Sequence, residues 1–206
     1  MMNSCKKEEE ITSVTDGEGN VYQVVKIGEQ HWMAENLKAT KLNDGTAITL
    51  ATDNSIWGSA TTPVYCYYDN NAGNKDVYGA LYNFHCVSTG KLCPTGWHVP
   101  TESDWNILQA ELGGELVAGG KMKTTGTTYW NNPNTGASNE SGFNARGSGV
   151  RLLAGVFGDL KNFALWWTST EGGPGAWFRS VHNQNTNLNS QGYNKKNGLS
   201  VRCIKD

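Results

Sequence analysis

The sequence predicts an α+β fold with few helices, many short antiparallel strands and long ordered loops. Three observations carry that reading. Short runs rich in Val, Tyr, Trp and Phe recur along the chain and are bounded by Gly, Asn, Asp or Pro. One segment only, after Pro100, combines a cap signal with helical spacing. Twenty-five glycines break up the 206 residues, while eight Trp, eight Tyr and five Phe place much apolar area on few positions. A chain of this length suits one domain with a sizeable core.

The elements follow in order. Residues 1–14 read as a charged tether that cannot fold alone, and residues 15–206 as the single domain. Residues 21–27 form a β-rich run, Gly28-Glu29-Gln30 a turn, and residues 31–34 the partner strand of a hairpin. Residues 43–62 are loop-rich, residues 64–68 a short strand, residues 69–76 a polar loop and residues 78–87 a further apolar segment. Thr101 caps the helix, with Asp104 in the capping-box position. Trp105, Leu108 and Leu112 then recur at helical spacing, and Gly113-Gly114 stops the run. A short second helix is expected over residues 116–122, ordered loops over 124–150, and four short apolar runs at 150–157, 163–168, 176–181 and 199–204. Trp32, Trp97, Trp105 and Trp167 are expected in the core.

Charge removes one class of partner. The formal net charge is −2, and the dense lysine runs, Lys6-Lys7 and Lys195-Lys196, are short. Phosphate-backbone binding needs a basic stripe, so no nucleic-acid partner is expected. No run is long and apolar enough for a membrane-spanning helix.

Five cysteines are present. Cys66, Cys86, Cys93 and Cys203 form an even set without C-x-x-C spacing, which reads as disulfides in an oxidising compartment. Cys5 stands apart, followed by Lys6, Lys7, Glu8, Glu9 and Glu10. That start resembles the mature N-terminus of a Bacteroidetes lipoprotein. The resemblance implies a lipid anchor at Cys5 after removal of a signal peptide, an outward-facing position on the outer membrane, and membrane contact through the lipid alone.

Six ordered stretches carry a wider resemblance. They are Trp32-Met33-Ala34-Glu35-Asn36-Leu37, Tyr78-Gly79-Ala80-Leu81-Tyr82-Asn83, the run from Leu92 through Trp97 to Pro100, Asn139-Glu140-Ser141-Gly142-Phe143, the run from Trp166 to Glu171, and Gly198-Leu199-Ser200-Val201-Arg202-Cys203. Together they resemble the Fibrobacter succinogenes major paralogous domain, from about residue 16 to the end. The resemblance implies a C-type-lectin-like fold, more distantly similar to that of formylglycine-generating enzymes. In such folds a Cys before the first helix bonds a Cys in the last strand, which implies a Cys93–Cys203 disulfide closing a loop of roughly 110 residues. Cys66 and Cys86 would then be the second pair.

No catalytic constellation is visible: there is no Walker loop, no G-x-S-x-G elbow and no spacing that ties Ser, His and Asp together. The expectation is a binding protein, not an enzyme, with no cofactor. His85, Cys86, Cys93 and His98 have metal-ligand side chains but are better explained by packing and disulfides. The oxygen-rich loop of Asp69, Asn70, Asn71, Asn74 and Asp76 is the candidate for calcium. The stretch from Trp130 through Asn131 to Asn134 is similar to the sugar loops of calcium-dependent lectins but lacks their Glu-Pro-Asn and Trp-Asn-Asp triplets.

The expected function is a cell-surface recognition module for an extracellular glycan or protein; the alternative is a structural or assembly subunit of a surface appendage. The expected ligand-binding residues are Trp177, Arg179, His182, Asn183, Asn185, Asn187, Asn189 and Tyr193, helped by Trp130 and Asn131. The polar alternation across residues 177–189 fits one face turned to water. The Asn-rich run also lies between two framework motifs, as in C-type-lectin-like proteins whose binding faces are diversified by retroelements.

Overall fold

The hairpin expected around Gly28 opens the sheet that organises the molecule. The computed structural model describes residues 10–206; the expected lipid anchor, Cys5, lies outside the described residues. In chain order the strands are β1 (Ser13–Thr15), β2 (Val21–Ile27), β3 (Gln30–Met33), β4 (Thr49–Leu50), β5 (Val64–Cys66), β6 (Leu81–Tyr82), β7 (Trp97–His98), β8 (Ser148–Arg151), β9 (Phe157–Leu160), β10 (Phe163–Gly172), β11 (Gly175–His182), β12 (Asn189–Tyr193) and β13 (Ile204–Lys205). The helices are α1 (Asn54–Ser59), α2 (Lys75–Tyr78), α3 (Phe84–Val87), α4 (Glu102–Glu111) and α5 (Glu115–Met122). The arrangement is α+β, with small sheets that are antiparallel except for the β4–β5 pair.

The first sheet has the order β1-β2-β3-β13-β7, so the chain's last strand inserts between the hairpin and the strand before α4. Ile204 faces both Trp32 and His98. That insertion brings Cys203 to Cys93, which are joined by a disulfide with Cα atoms 5.9 Å apart and a sequence separation of 110. The domain reaches back past the expected boundary at residue 15, because β1 pairs with β2 and Ile11 and Val14 pack on the core.

Helix α4 starts as its sequence dictates. The Thr101 hydroxyl accepts from the Asp104 N–H, and the Asp104 carboxylate accepts from the Thr101 N–H. Trp105 and Leu108 face inward. Trp105 stands 4.9 Å from Trp32 and 5.7 Å from Trp166, ring centre to ring centre, and Phe143 touches all three rings. Trp32, Trp97, Trp105 and Trp167 are all buried.

Asn36 ties the motif stretches together. Its Oδ1 accepts from Trp166 Nε1 at 2.8 Å and from Arg202 Nη2 at 2.9 Å. Its Nδ2 donates to the Tyr78 carbonyl and to Ser200 Oγ. Arg202 is buried; it lies 4.1 Å over the Phe143 ring, and burial pulls its guanidinium down to about 9. Gly79, at φ +76°, passes so close to Asn36 and Leu37 that a Cβ would collide with both. The recurrent motifs therefore encode the core hub.

One sequence expectation, the Cys66–Cys86 pair, needs correction. Cys66 and Cys86 are both free and buried. Cys86 Sγ instead donates to the Val64 carbonyl at 3.3 Å, and burial raises both thiols, Cys66 to about 11. In the 69–76 loop Asn71 Oδ1 accepts from the Gly73 N–H, the Asn70 and Asn74 side-chain amides donate to the carbonyls of Thr52 and Tyr68, and Asp76 Oδ1 pairs with Lys38. Among the described residues, no three His, Cys, Asp or Glu side chains gather to hold a metal ion.

Candidate functional site

Strands β10, β11 and β12 form a three-stranded antiparallel sheet whose two faces have different fates. Alternation sends Ala164, Trp166, Arg179, Val181 and Ser190 to one face. That face packs on α4 and α5. Arg179, only 3% exposed, donates to both Glu102 oxygens at 3.1 and 2.7 Å, and also to Asn106 and Gln109 of α4. Ser190 Oγ donates to the same Glu102 carboxylate. The Arg179 guanidinium and the Glu102 carboxylate thus find partners on each other and on α4, which is the condition for burying a charge.

The opposite face carries Phe163, Leu165, Trp167, Phe178, Ser180, His182, Asn189, Gln191 and Tyr193. Trp167 is sealed against Phe84 of α3 and donates from Nε1 to the Tyr82 carbonyl. The rest stays open as a groove of about 290 Å³, lined by Phe163, Leu165, Phe178, Ser180, Asn189, Gln191, Tyr193 and Asp159. Phe178 and Tyr193 lie 5.0 Å apart, and His182 stacks on Phe163 at 4.0 Å. Asp159 enters from β9 in a left-handed conformation, φ +63°. Burial and the Asp159 charge raise the Tyr193 phenol above its ordinary value, while burial and then Lys123 lower His182. No residue among those described hydrogen-bonds the side chains of Asp159, Asn189 or Gln191, which remain available to a ligand.

A second depression of about 350 Å³ adjoins this groove at the hairpin end, lined by Gly172, Pro174, Gly175, Gly192, Tyr193 and Asn194. Tyr193 lines both.

The sequence-predicted residues divide accordingly. Asn189 and Tyr193 line the groove, and His182 stands at its edge. Trp177 is exposed at 37% but lies on the α4 side, against Gly172. Arg179 is withdrawn from the binding set because its charge is spent on Glu102. Trp130 is fully buried, its Nε1 donating to Thr124 Oγ1 and the Ala145 carbonyl. Asn183, 2% exposed, is withdrawn too: its amide donates to the carbonyls of Asn131 and Asn132. Asn131 is exposed and bonded to Asn162.

Lys123 explains why the Asn run is not one solvent-facing strand. Its buried ammonium donates to the carbonyls of Thr135, His182 and Asn185 at 2.8–2.9 Å and lies over the Trp130 ring. The chain therefore leaves the sheet after His182. Asn185 Oδ1 then accepts from the Asn187 N–H, and the Leu188 N–H donates to the Glu115 carbonyl. The Asn187 backbone presses on Gly119 so closely that any side chain there would collide. Asn185 and Asn187 thus belong to the loop's own fabric, outside the groove.

Sequence reasoning missed Asp159, Phe163, Phe178, Ser180 and Gln191. A signal for them exists: aromatic and polar residues at period two in Phe178-x-Ser180-x-His182 and Asn189-x-Gln191-x-Tyr193.

These features define a disulfide-closed α+β domain with an open groove on one sheet face. Residues 25–205 match the model of the Fibrobacter succinogenes major domain, and the chain belongs to that family. Neither the curated proteins nor the solved structures yield a match.

Proposed function

We propose that the chain is a surface-presented recognition module that takes an extracellular ligand, glycan or protein, on the open face of the β10–β12 sheet. The observation that carries this reading is the unpaired set Asp159, Asn189 and Gln191 beside aromatic walls, on a sheet whose other face is closed by α4 and the Arg179–Glu102 pair. Its size approaches the lower end of ligand sites. Binding, with no chemical step, is all this set needs. Any retroelement-directed variation would act at Asn189 and its groove neighbours, since Asn183 is buried. We place the fold in the C-type-lectin-like class on the strength of the bond between Cys93, ahead of α4, and Cys203, ahead of the last strand. Cys5 is proposed as the lipid anchor of an outward-facing outer-membrane protein; mass spectrometry of membrane-extracted protein should find Cys5 acylated.

The test is a panel of extracellular glycans and proteins probed with the full chain. Asn189→Ala and Gln191→Ala should abolish binding while moving the melting temperature by no more than about two degrees, as surface changes do. Binding that survives both changes would remove the groove from the function.

A specific observation also favours the assembly reading. Ile56 of α1 and the Leu152, Leu153 and Val156 side chains of the β8–β9 turn are all exposed, and Gly58 of α1 abuts the Leu153 carbonyl. Clustered exposed apolar residues mark contact surfaces. Ile56→Ser together with Leu153→Ser should leave the chain monomeric if this patch assembles it.

A further inference from the structure

Resting on the recognition reading above, we propose that the groove takes a linear, uncharged glycan chain laid across Tyr193, with sugar units in the depressions on both sides of it. Three observations support this. The first is continuity. Two depressions of about 290 and 350 Å³ share Tyr193 as a common wall, so a ligand filling both must be extended. A single terminal sugar would use one of them.

The second is charge. Neither depression is lined by Lys or Arg, and the one formal charge is the Asp159 carboxylate. A uronate, sulfate or phosphate group in the groove would meet a like charge and no cation, whereas hydroxyls can donate to the carboxylate. The third is the pairing of chemistries. Asn189 and Gln191 each present both a donor and an acceptor, as vicinal hydroxyls do, while Tyr193, backed by the buried Phe178, offers ring surface to the apolar face of a sugar. A protein partner would need roughly 800 Å² of contact on this side and a larger exposed aromatic anchor than the half-buried Tyr193. One carboxylate is also too small a donor set for calcium, which takes about six to eight oxygens, so the binding should be indifferent to chelators.

Calorimetry of the full chain would use cello-, xylo- and manno-oligosaccharides of one to six units, with oligogalacturonides of equal length as the anionic probe. At least one neutral series should gain about tenfold or more in affinity between one unit and four, then level off, with or without EDTA. Tyr193→Ala should remove that gain, an aromatic anchor being worth about tenfold or more. Tyr193→Phe, which keeps the ring and tests the idea even if the alanine variant folds poorly, should retain most of it. Asp159→Asn should admit oligogalacturonides that the natural chain rejects. Affinity independent of length, preference for the anionic series, or loss with EDTA would overturn the inference. If no neutral series binds but Asn189→Ala still abolishes capture of a protein ligand, the glycan inference fails and the recognition reading stands. If no groove substitution changes any binding, both fail.

Discussion

The two faces of the β10–β12 sheet use alternate residues of the same strands yet do opposite work. On the helix side Arg179 meets Glu102, Asn106 and Gln109, and its charge is paired. On the open side Asn189 and Gln191, which flank the helix-side Ser190 on β12, offer amides to solvent beside Tyr193. The difference lies in what covers each face. Helices α4 and α5 seal one; α3 seals only the Trp167 end of the other. A charged or amide side chain in a strand therefore says little about function until its face is known. The comparison predicts that substitutions on the helix side cost stability and leave affinity intact, and that substitutions on the open side do the reverse.

The largest effect should strike both faces at once. Cys93→Ser with Cys203→Ser removes a 110-residue closure that joins the β13 insertion to the start of α4. The chain-entropy model assigns such a loop about 4–5 kcal/mol, with measured losses often lower. Denaturant unfolding should show the loss, and ligand affinity should fall with the folded fraction. An undiminished midpoint would mean that the β3–β13–β7 pairing holds the ends without the bond.

Next in size is Arg179→Met. It strands the Glu102 carboxylate and should cost about 3 kcal/mol. The decisive readout is the pair of measurements: a lower urea midpoint with unchanged affinity per folded molecule. Loss of affinity without loss of stability would return Arg179 to the binding site.

Lys123→Met should cost less, about 2 kcal/mol, by leaving the Thr135, His182 and Asn185 carbonyls without their donor. Its pH dependence has a definite sign. Burial holds the folded ammonium at about 8 against an ordinary 10.5, so between those values the unfolded chain binds more protons. Natural-chain stability relative to the variant should therefore rise with pH across that window. A flat difference would show that Lys123 stays charged throughout.

Much of the scaffold was legible in the sequence because its signals are local. The Gly28 turn, the Thr101–Asp104 capping box and the Trp105–Leu108 spacing each act within a few residues. The Cys93–Cys203 bond was legible through resemblance of an ordered motif set. The Cys66–Cys86 pair was not, because an even cysteine count carries no geometry, and Cys86 turned to the Val64 carbonyl instead. The groove was half legible. Asn189 and Tyr193 were found, but reading Asn183, Asn185 and Asn187 with them assumed a continuous strand. A lysine some 60 residues earlier in the chain bends the backbone away, and no local pattern announces that. Phe163 and Phe178 look like core residues in sequence, and only the short reach of α3 leaves them at a groove.

The smallest effect belongs to His182, at the groove's edge. It stacks on Phe163, and burial first, then the Lys123 charge, hold its imidazolium below the ordinary 6.5. The unfolded chain therefore takes up a proton at higher pH than the folded one. Stability from this source is complete above about 6.5 and declines as pH falls from there through the folded value. His182 is half-exposed, so solvent screening keeps the effect below about 0.5 kcal/mol. His85, lowered by burial and by Lys195 and Lys196, adds a slope of the same sign and must be separated. In a His85→Gln background, His182→Gln should flatten what remains of the stability loss between pH 7 and 5 and leave the open-face affinity at pH 7 near its natural value. If His182→Gln instead weakens ligand binding by tenfold at pH 7, the imidazole is a groove contact, and the open face reaches past Phe163 to the end of β11.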